Sequence, residues 1–335
     1  MEGHMKAIFL CENRHNIDYV YGPAQMAELK RITGIDGKVY SLDEARRSPE
    51  ARTAEVIFST WGMPKVAYDE ILEVFPELKA VFYGAGSVQA FAEPFIRRGI
   101  DVFSAWQANA VPVAEYTLAQ ILLASKGFFT VQQRCRTSRT ASNELSANYP
   151  GMYDIRVGLL GLGAVGGAVA KLLKGFNCEV LAYDPFASDE KMEALGARRA
   201  DMAEIFASCD IVSNHLANLP ETKGIITREH IFALKLYSTF INTGRGPQLS
   251  EEDLYDKLRA DETVTALLDV LTDEQYSDTN PLNTLPNCFI TPHIAGSKGN
   301  EVRRMAQYMI EEYGRWQRGE ALNWRVTADM LATMA

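Results

Sequence analysis

Hydrophobic residues recur along the first hundred positions in short runs, and amphipathic segments separate these runs. Four runs rich in β-branched and aromatic residues are typical of buried strands and lie at 6–10, 54–60, 78–83 and 100–105. The segments at 23–33 and 63–75 place apolar residues three and four positions apart, which indicates helices. Strands that alternate with helices predict a parallel sheet covered by helices on both faces.

A second alternating series starts near residue 155. Its six strand-like runs lie at 155–161, 178–184, 210–216, 238–244, 264–270 and 288–293. This succession predicts a complete doubly wound domain. An apolar-faced helix is predicted at 111–129, and the polar, poorly periodic stretch at 131–154 is expected to be a loop. A further amphipathic helix is predicted at 300–319.

Composition and charge remove several function classes. The 335 residues, 47% hydrophobic and 23% charged, suit a globular protein in which two domains are the default. A formal net charge of −9 argues against a surface that binds the phosphate backbone of a nucleic acid. No apolar run approaches the roughly 18 residues that span a bilayer, so no membrane partner is expected.

The five cysteines are scattered and include no C-x-x-C pair. They predict neither a disulfide framework nor a zinc site, and no metal is expected. The N-terminal stretch lacks the pattern of a signal peptide. A reducing cytoplasmic location fits these features best.

The stretch LLGLGAVGG places a glycine cluster between a predicted strand and a predicted helix. Gly161 would make the tight turn, Gly163 would let a pyrophosphate approach the backbone, and Gly166 would let helix and strand pack closely. The pyrophosphate would rest on the helix N-terminus at Ala164 and Val165, where free N–H groups favour negative charge. The motif predicts a dinucleotide-binding turn.

Asp184 ends the next predicted strand, where a carboxylate can accept hydrogen bonds from the adenosine ribose. It would repel a 2′-phosphate, and the following residues, PFAS, offer no arginine to hold one. NAD is therefore predicted in preference to NADP. A glycine turn with an incidental aspartate is the simpler alternative.

Further motifs accompany the glycine cluster between 155 and 297: VLAYDP, VSNHLANLPETKGII, STFINTGRGPQLSEEDL, LLDVLTDEQ and ITPHIAGS. With the glycine cluster, they resemble the cofactor fingerprint, the segment beneath the nicotinamide, and the arginine, glutamate and histidine motifs of the D-isomer-specific 2-hydroxyacid dehydrogenases. The N-terminal third is similar more loosely, through VFYGAGSVQAF and VPVAEYTLAQILLA. The resemblance implies an NAD-dependent enzyme that interconverts a small 2-keto acid and a D-2-hydroxy acid.

Three residues do the chemistry in that family, and the resemblance assigns these roles to Arg245, Glu274 and His293. The fork of an arginine matches a substrate carboxylate. A histidine can protonate the developing alkoxide near neutral pH, and a paired glutamate favours its charged form and orients it. Asp273 could take the role of Glu274, and Gln275 stands where the family usually has proline.

The resemblance implies further cofactor contacts at His215, Thr222, Thr243, Gly244 and Asp269. Asp269 would anchor the nicotinamide carboxamide, with an ordinary aspartate at a strand end as the alternative.

Substrate-binding candidates lie in the first hundred residues. The N–H groups of Ala85 and Gly86 are expected to form an anion nest for the substrate carboxylate, with a plain turn as the alternative. Trp61, Met63 and Tyr83 lie at or beyond predicted strand ends, where they could form an apolar wall that disfavours a phosphorylated substrate. Trp61 could instead simply pack in a core.

The resemblance also implies the domain plan: an α/β fold with two doubly wound parallel-sheet domains. A Rossmann-type NAD-binding domain at 105–299 would be inserted into a flavodoxin-like substrate-binding domain formed by 1–104 and 300–335. The helix at 111–129 looks like the dimer element of the family and predicts a homodimer, with a core helix between domains as the competing interpretation.

Two other functions remain open. A phosphoglycerate dehydrogenase would need a cationic pocket; the loop at 59–64 has no arginine, but Arg134, Arg136 and Arg139 could reach the site from the predicted loop at 131–154. A corepressor similar to the C-terminal-binding proteins, which share the fold and the three catalytic residues, would bind NADH without turnover.

Overall fold

The computed structural model describes residues 5–332, except for the side chains of residues 276 and 277. The chain divides into two compact units: Met1–Asn109 with Ser297–Ala335 form unit 1, and Ala110–Gly296 form unit 2. Each unit contains a largely parallel sheet with helices, which confirms the predicted α/β class with two parallel-sheet domains. The division falls at 109/110 and 296/297, where the sequence predicted 104/105 and 299/300.

The sheet of unit 1 has, in spatial order within the described residues, the strands Arg325–Val326, Asp101–Ser104, Ala80–Tyr83, Val56–Ser59, Ala7–Leu10 and Val39–Tyr40. Neighbouring strands are parallel, except that Arg325–Val326 runs antiparallel to its neighbour. The order of the five parallel strands is that of flavodoxin-like folds. The two strands of two residues each were not predicted, because so short a run shows no period.

The helices of unit 1 are Arg14–Val20, Pro23–Thr33, Leu42–Arg47, Pro49–Arg52, Tyr68–Val74, Ala92–Arg97, Val302–Gln317 and Ala328–Leu331, with a 3₁₀ turn at Gly299–Glu301. Aromatic rings fill the core beneath the sheet. Phe82 stacks on Phe103 with centroids 4.6 Å apart, and Tyr313 meets Phe58 and Phe82 edge-on at 5.6 Å. These contacts fasten the helix Val302–Gln317 to unit 1, far along the chain from the other elements.

The sheet of unit 2 is parallel throughout the described strands, in the order Cys288–Ile290, Thr265–Leu268, Thr239–Asn242, Ile211–Asn214, Tyr153–Leu160, Asn177–Tyr183 and Ala197–Arg199. The order reverses between Ile211–Asn214 and Tyr153–Leu160, as in a Rossmann fold. Ligands of such sheets bind outside the carboxyl ends of the strands at this switch point.

The long helix Trp106–Ser125 begins earlier and ends earlier than the predicted helix at 111–129. The helices that lie wholly within unit 2 are Phe128–Cys135, Arg139–Ser146, Ala164–Leu173, Asp189–Leu195, Met202–Ser208, Arg228–Ala233 and Glu251–Ala260. Short 3₁₀ turns lie at Pro220–Thr222, Gly246–Gln248, Glu274–Thr279 and Pro281–Thr284.

The predicted loop at 131–154 was wrong, because most of this stretch is helical. Gly127, in the left-handed conformation at φ 64, redirects the chain into Phe128–Cys135. Ser138 caps the next helix by accepting a hydrogen bond from the N–H of Ala141. The Ser142 hydroxyl donates to the Val131 carbonyl at 2.9 Å and joins the two helices. Polar contacts of this kind leave no apolar period in the sequence.

Two features are absent from the described residues. No helix among them is long and apolar enough to cross a membrane. No group of three histidine, cysteine or acidic side chains in the same part of the chain is placed to hold a metal ion.

Candidate active site

The glycine turn of unit 2 joins the strand Tyr153–Leu160 to the helix Ala164–Leu173. A Cβ on Gly161, whose φ is +88, would lie 2.8 Å from the His215 carbonyl oxygen, and a Cβ on Gly166 would lie 2.0 Å from the Gly161 oxygen. The protein's own packing therefore requires these two glycines.

Gly163 differs from its neighbours. A Cβ built there would meet no heavy atom within 4 Å, so nothing in the fold itself requires a glycine. Gly163 is the N-cap of the helix that begins at Ala164, and no side chain caps that end, so the first N–H groups have no intrahelical partner. This open space at a helix N-terminus fits the close approach of a dinucleotide pyrophosphate.

Asp184 fastens the glycine turn to the turn that follows the strand Asn177–Tyr183. Its Oδ2 accepts a hydrogen bond from the Leu162 N–H at 2.7 Å, and its Oδ1 accepts from the N–H groups of Phe186 and Ala187 at 2.8 and 3.0 Å. These three hydrogen bonds fix the orientation of the Asp184 carboxylate.

Sequence reasoning missed an arginine at this turn. Arg199 donates to the carbonyl oxygens of Asp184 and Ala187 at 3.1 and 2.6 Å and pairs with Asp189 at 2.7 Å. Arg199 belongs to the short strand Ala197–Arg199. Because this strand is far from Asp184 in the sequence, the contact was not predicted. An arginine therefore does lie beside Asp184, outside PFAS, although its guanidinium is already engaged by three acceptors.

His215 lies beside the glycine turn, directly after the strand Ile211–Asn214. Its Nε2 is 2.9 Å from the Ser213 hydroxyl, and its Nδ1 is 3.2 Å from the Thr243 hydroxyl. Burial lowers the pKa of His215 to about 3. The ring is therefore neutral near neutral pH, and a proton donor must be sought elsewhere.

A buried amide network fixes the turn that carries Arg245. Gln248 Oε1 accepts from the Arg245 N–H at 3.1 Å and from Asn214 Nδ2 at 2.7 Å. Asn242 Oδ1 accepts from the Gly244 N–H and from Asn214 Nδ2, both at 3.0 Å. All three amide side chains are buried, so a broken bond here would leave a polar group unsatisfied. No sequence motif predicted these amides as part of the site.

The Arg245 side chain makes one intramolecular hydrogen bond among the described residues, from Nη1 to the Gly244 oxygen at 2.8 Å. It forms no ion pair within 4.0 Å in that part of the chain. Burial lowers the pKa of Arg245, and the negative charge of Glu274 opposes this effect. The guanidinium therefore keeps several N–H groups free for an anion.

Glu274 and His293 are paired directly. His293 Nδ1 lies 3.0 and 3.2 Å from the two carboxylate oxygens, and the side chains are 47% and 49% exposed respectively for His293 and Glu274. Asp273 instead accepts a hydrogen bond from the Gln275 N–H at 3.1 Å. The geometry thus selects Glu274 over Asp273 as the partner of the histidine, and the contact at Nδ1 leaves Nε2 with no hydrogen bond to the described residues.

The His293 backbone is in the left-handed region at φ 53, which is uncommon for a residue other than glycine. Asp269 holds this conformation. Its carboxylate accepts from the Thr291 hydroxyl at 2.6 Å and from the N–H groups of Ile294 and Ala295 at 2.9 and 2.8 Å. Asp269 is therefore more than an ordinary strand-end aspartate, because it shapes the turn that presents the histidine.

The arginine turn and the glutamate segment touch at Gly246. A Cβ there would lie 2.0 Å from the Leu271 carbonyl carbon and 2.2 Å from the Thr272 nitrogen. This approach brings Arg245 to the segment that carries Glu274. Thr222, another predicted cofactor contact, turns its hydroxyl to the carbonyls of Ala217 and Leu219 at 2.7 and 2.9 Å.

In unit 1, buried hydroxyls orient the predicted anion nest. Ser104 Oγ lies 2.9 and 2.5 Å from the carbonyl oxygens of Ala85 and Gly86 and shares its one proton between them, and Thr60 Oγ1 donates to the Gly84 oxygen at 2.8 Å. The carbonyls of Gly84 and Ala85 share peptide planes with the N–H groups of Ala85 and Gly86. Because carbonyl and N–H point in opposite directions in a trans peptide, these two N–H groups point away from the hydroxyls. Neither N–H donates to another described residue.

The predicted apolar wall lies largely within the core of unit 1. Tyr83 is buried, meets Phe91 edge-on at 4.9 Å, and has a raised pKa because of burial. Trp61 and Met63 are partly buried against the same core. Packing therefore accounts for part of each of these side chains.

The chain belongs to the D-isomer specific 2-hydroxyacid dehydrogenases. The family's NAD-binding domain model matches residues 118–295, which lie inside unit 2 and include the glycine turn, Arg245, Glu274 and His293. The match confirms the predicted family resemblance and NAD as the cofactor.

Relatives of known name agree with this placement. The chain is similar to a D-3-phosphoglycerate dehydrogenase of Archaeoglobus fulgidus, with 33% identity over 232 residues that cover 68% of this chain and 43% of that protein. It is 28% identical to the 2-hydroxyacid dehydrogenase YoaD of Bacillus subtilis, over 90% of this chain and 83% of that one. The match therefore spans less than half of the first relative and most of the second.

The fold is similar to that of D-mandelate dehydrogenase from Rhodotorula graminis in its apo form. The TM-score is 0.77 at 20% sequence identity, and the alignment covers 96% of this chain and 98% of the other. At this identity, the likeness shows the shared fold.

Proposed function

We propose that the protein catalyses the NAD-dependent reduction of a small 2-keto acid to the D-2-hydroxy acid, and the reverse reaction. The observation that carries the proposal is the Glu274–His293 pair, which shares unit 2 with Arg245 and with the glycine turn. Unit 2 is assigned to NAD binding, and unit 1 keeps the predicted role in substrate binding.

Each side chain has a definite task. Arg245 binds the substrate carboxylate through its free N–H groups, which leaves the adjacent carbonyl fixed in place. Glu274 accepts the Nδ1–H of His293, so Nε2 donates a proton to the carbonyl oxygen during reduction and accepts one during oxidation. When bound, NADH supplies the hydride for the carbonyl carbon.

The cofactor would be held by the N–H groups of Ala164, Val165 and Gly166, with the pyrophosphate in the open space at Gly163. Asp184 would face the adenosine ribose and disfavour the 2′-phosphate of NADP. His215, Thr243 and Gly244 line the same side of unit 2, and Thr222 and Asp269 act through the loops that they hold.

The substrate is proposed to carry a small, uncharged side chain. Ala85 and Gly86 offer a carboxylate N–H groups that have no partner among the described residues, and the partly buried Trp61 offers apolar surface, with the buried Tyr83 packed in the core of the same unit. A phosphate placed against such surface would lose water without gaining a cation.

Phosphoglycerate is the second candidate substrate class, because the relative from Archaeoglobus fulgidus is named for it. The arginines that could serve a phosphate lie on or beside the helices Phe128–Cys135 and Arg139–Ser146. Arg134, Arg136 and Arg139 make no side-chain ion pair with the described residues, so their charges are available.

We further propose a homodimer formed through the helix Trp106–Ser125 and the residues that follow it. Leu123 and Phe128 expose 40% and 46% of their surfaces, which favours a partner at this apolar end. Light scattering of wild type and of Leu123→Asp tests the interface. The five free cysteines support a reducing, cytoplasmic location, which cell fractionation tests.

The function is tested by NADH oxidation with a panel of glyoxylate, pyruvate, hydroxypyruvate, bulkier 2-keto acids and phosphohydroxypyruvate. Turnover of an unphosphorylated acid with little turnover of the phosphorylated one is expected. Preferential turnover of phosphohydroxypyruvate would favour the second candidate. NADH binding without turnover of any member would contradict the enzyme proposal and favour a corepressor-like binding protein.

A further inference from the structure

One side chain fastens the segment that carries Glu274 to a neighbouring helix. Glu251 is the first residue of the helix Glu251–Ala260. Its Oε1 accepts a hydrogen bond from the Thr272 N–H at 2.5 Å, and its Oε2 accepts from Asn280 Nδ2 at 2.7 Å. Thr272 and Asn280 lie on opposite sides of Glu274 in the chain, so a single carboxylate holds both ends of the segment.

The contact with Asn280 has a fixed polarity. Asn280 Oδ1 accepts from the Leu282 N–H at 3.0 Å and caps the short turn Pro281–Thr284. The amide cannot reverse without losing this cap, so its Nδ2 must face Glu251. A carboxylate fits because both of its oxygens accept hydrogen bonds.

The local geometry of the segment that carries Glu274 explains why this support is needed. Glu274 opens a 3₁₀ turn, a geometry with weaker hydrogen bonds than an α-helix, and its side chain is half exposed. Yet its carboxylate must stay 3.0 Å from His293 Nδ1. A displacement of about 1 Å at a reacting group can cost roughly a hundredfold in rate.

We propose that Glu251 is a positioning residue for the Glu274–His293 pair. Its carboxylate sets where Glu274 stands and hence how the imidazole is held. Glu251 acts on the site only through the segment that carries Glu274, and we assign it no contact with substrate or cofactor. The inference rests on the proposed function, because it assigns Glu274 and His293 the roles given above.

Two single variants break the Asn280 contact from opposite sides. Glu251→Gln keeps an acceptor for the Thr272 N–H but turns an amide donor toward the Asn280 donor. Asn280→Asp keeps the cap on Leu282 but turns a carboxylate toward Glu251. Each should lower kcat for keto-acid reduction about tenfold while leaving the dissociation constant of NADH unchanged.

The double variant Glu251→Gln with Asn280→Asp exchanges donor and acceptor and keeps the net charge. It should return kcat to within about threefold of wild type, because the fastening is rebuilt with reversed polarity. Glu252→Gln is the matched control. Glu252 is exposed on the same first turn, its side chain makes no hydrogen bond or ion pair with the described residues, and it undergoes the same change in charge. It should leave kcat unchanged.

A purely structural role would not move the pH dependence. Glu251→Gln should shift the pH optimum for reduction in the same direction as Glu274→Gln, and it should add less than about threefold in a Glu274→Gln background. Thermal unfolding of every variant separates these effects from loss of fold.

Three results decide the matter. Wild-type kcat and pH profile in both single variants would overturn the inference. So would a swapped double variant no better than the singles, while Glu274→Gln and His293→Ala are impaired. Wild-type turnover in Glu274→Gln and His293→Ala would instead refute the proposed function, and the inference would fall with it.

Discussion

Gly163 provides a sharp test of the cofactor site, because the fold leaves its Cβ position empty. Gly163→Ala should fold normally, since the added methyl meets no heavy atom within 4 Å and the φ is −67. The same methyl would occupy the space into which we place the pyrophosphate. The substitution should therefore weaken NADH binding without harming the apo protein.

The magnitudes of the two effects can be estimated separately. Ala is a poorer N-cap than Gly by up to about 1 kcal/mol, and the stiffer unfolded chain offsets about 0.4–1 kcal/mol of this. The free energy of unfolding should therefore change by less than about 1 kcal/mol. A displaced pyrophosphate would lose about 0.3–2 kcal/mol of helix-dipole interaction and about 1.5–3 kcal/mol for a charged hydrogen bond. A combined loss of about 2–5 kcal/mol weakens NADH binding about thirtyfold to several thousandfold.

The assay is NADH titration by fluorescence, with the thermal midpoint of the apo protein measured alongside. Gly167→Ala is the matched control on the same helix, because its Cβ would make ordinary contacts at 3.5 and 3.7 Å. It should bind NADH as wild type does and gain about 1 kcal/mol of stability. Gly166→Ala should lose stability and binding together. Wild-type NADH affinity in Gly163→Ala would refute the placement of the cofactor.

The remaining predictions concern three other residues of unit 2. Burial lowers the pKa of His215 to about 3, whereas an unfolded histidine titrates near 6.5. The unfolded chain thus binds more protons between these values, so urea unfolding should show the His215 contribution intact above pH 6.5 and falling by about 1.4 kcal/mol per pH unit below it. His215→Asn should make the free energy of unfolding depend less on pH in this range. An unchanged pH dependence in the variant would contradict the contribution of His215. Wild type should have a higher kcat/KM with NADH than with NADPH. Asp184→Ala should reduce the difference between these two values, partly because it loosens the glycine turn. Equal wild-type values would contradict the assignment of cofactor preference to Asp184. Arg245→Ala should raise KM for the keto acid strongly with NADH affinity unchanged, and Arg245→Lys should restore it incompletely because a point charge lacks the fork; an unaltered KM would exclude carboxylate binding by Arg245.

Local signals made part of the fold predictable. The helix at 23–33 was predicted from the spacing of its apolar residues, and the structure has it at the same bounds, where Pro23 begins the helix and the left-handed Gly34 ends it. The glycine turn was predicted because its strand and helix are strongly apolar. The prediction for 131–154 failed because its two helices bury almost no apolar side chain: the left-handed Gly127 precedes the first helix, and the Ser138 side chain caps the second.

The site was predictable only where motifs resemble those of a family. Arg245, Glu274 and His293 were proposed in this way, but the choice between Glu274 and Asp273 needed the distance to His293 Nδ1. The roles of three residues were not predicted, because each side chain binds partners outside its own sequence motif: Arg199, Gln248 and Glu251. A buried glutamine directly after a tight turn leaves no signal in a single sequence.

Single-turnover reduction of a 2-keto acid by His293→Ala, compared with wild type at saturating NADH, tests the central claim most directly. The chemical step should slow roughly 10²–10⁴-fold, the usual contribution of a general acid, while the dissociation constant of NADH stays within about twofold. A rate near that of wild type would contradict the assignment of His293 as the proton donor.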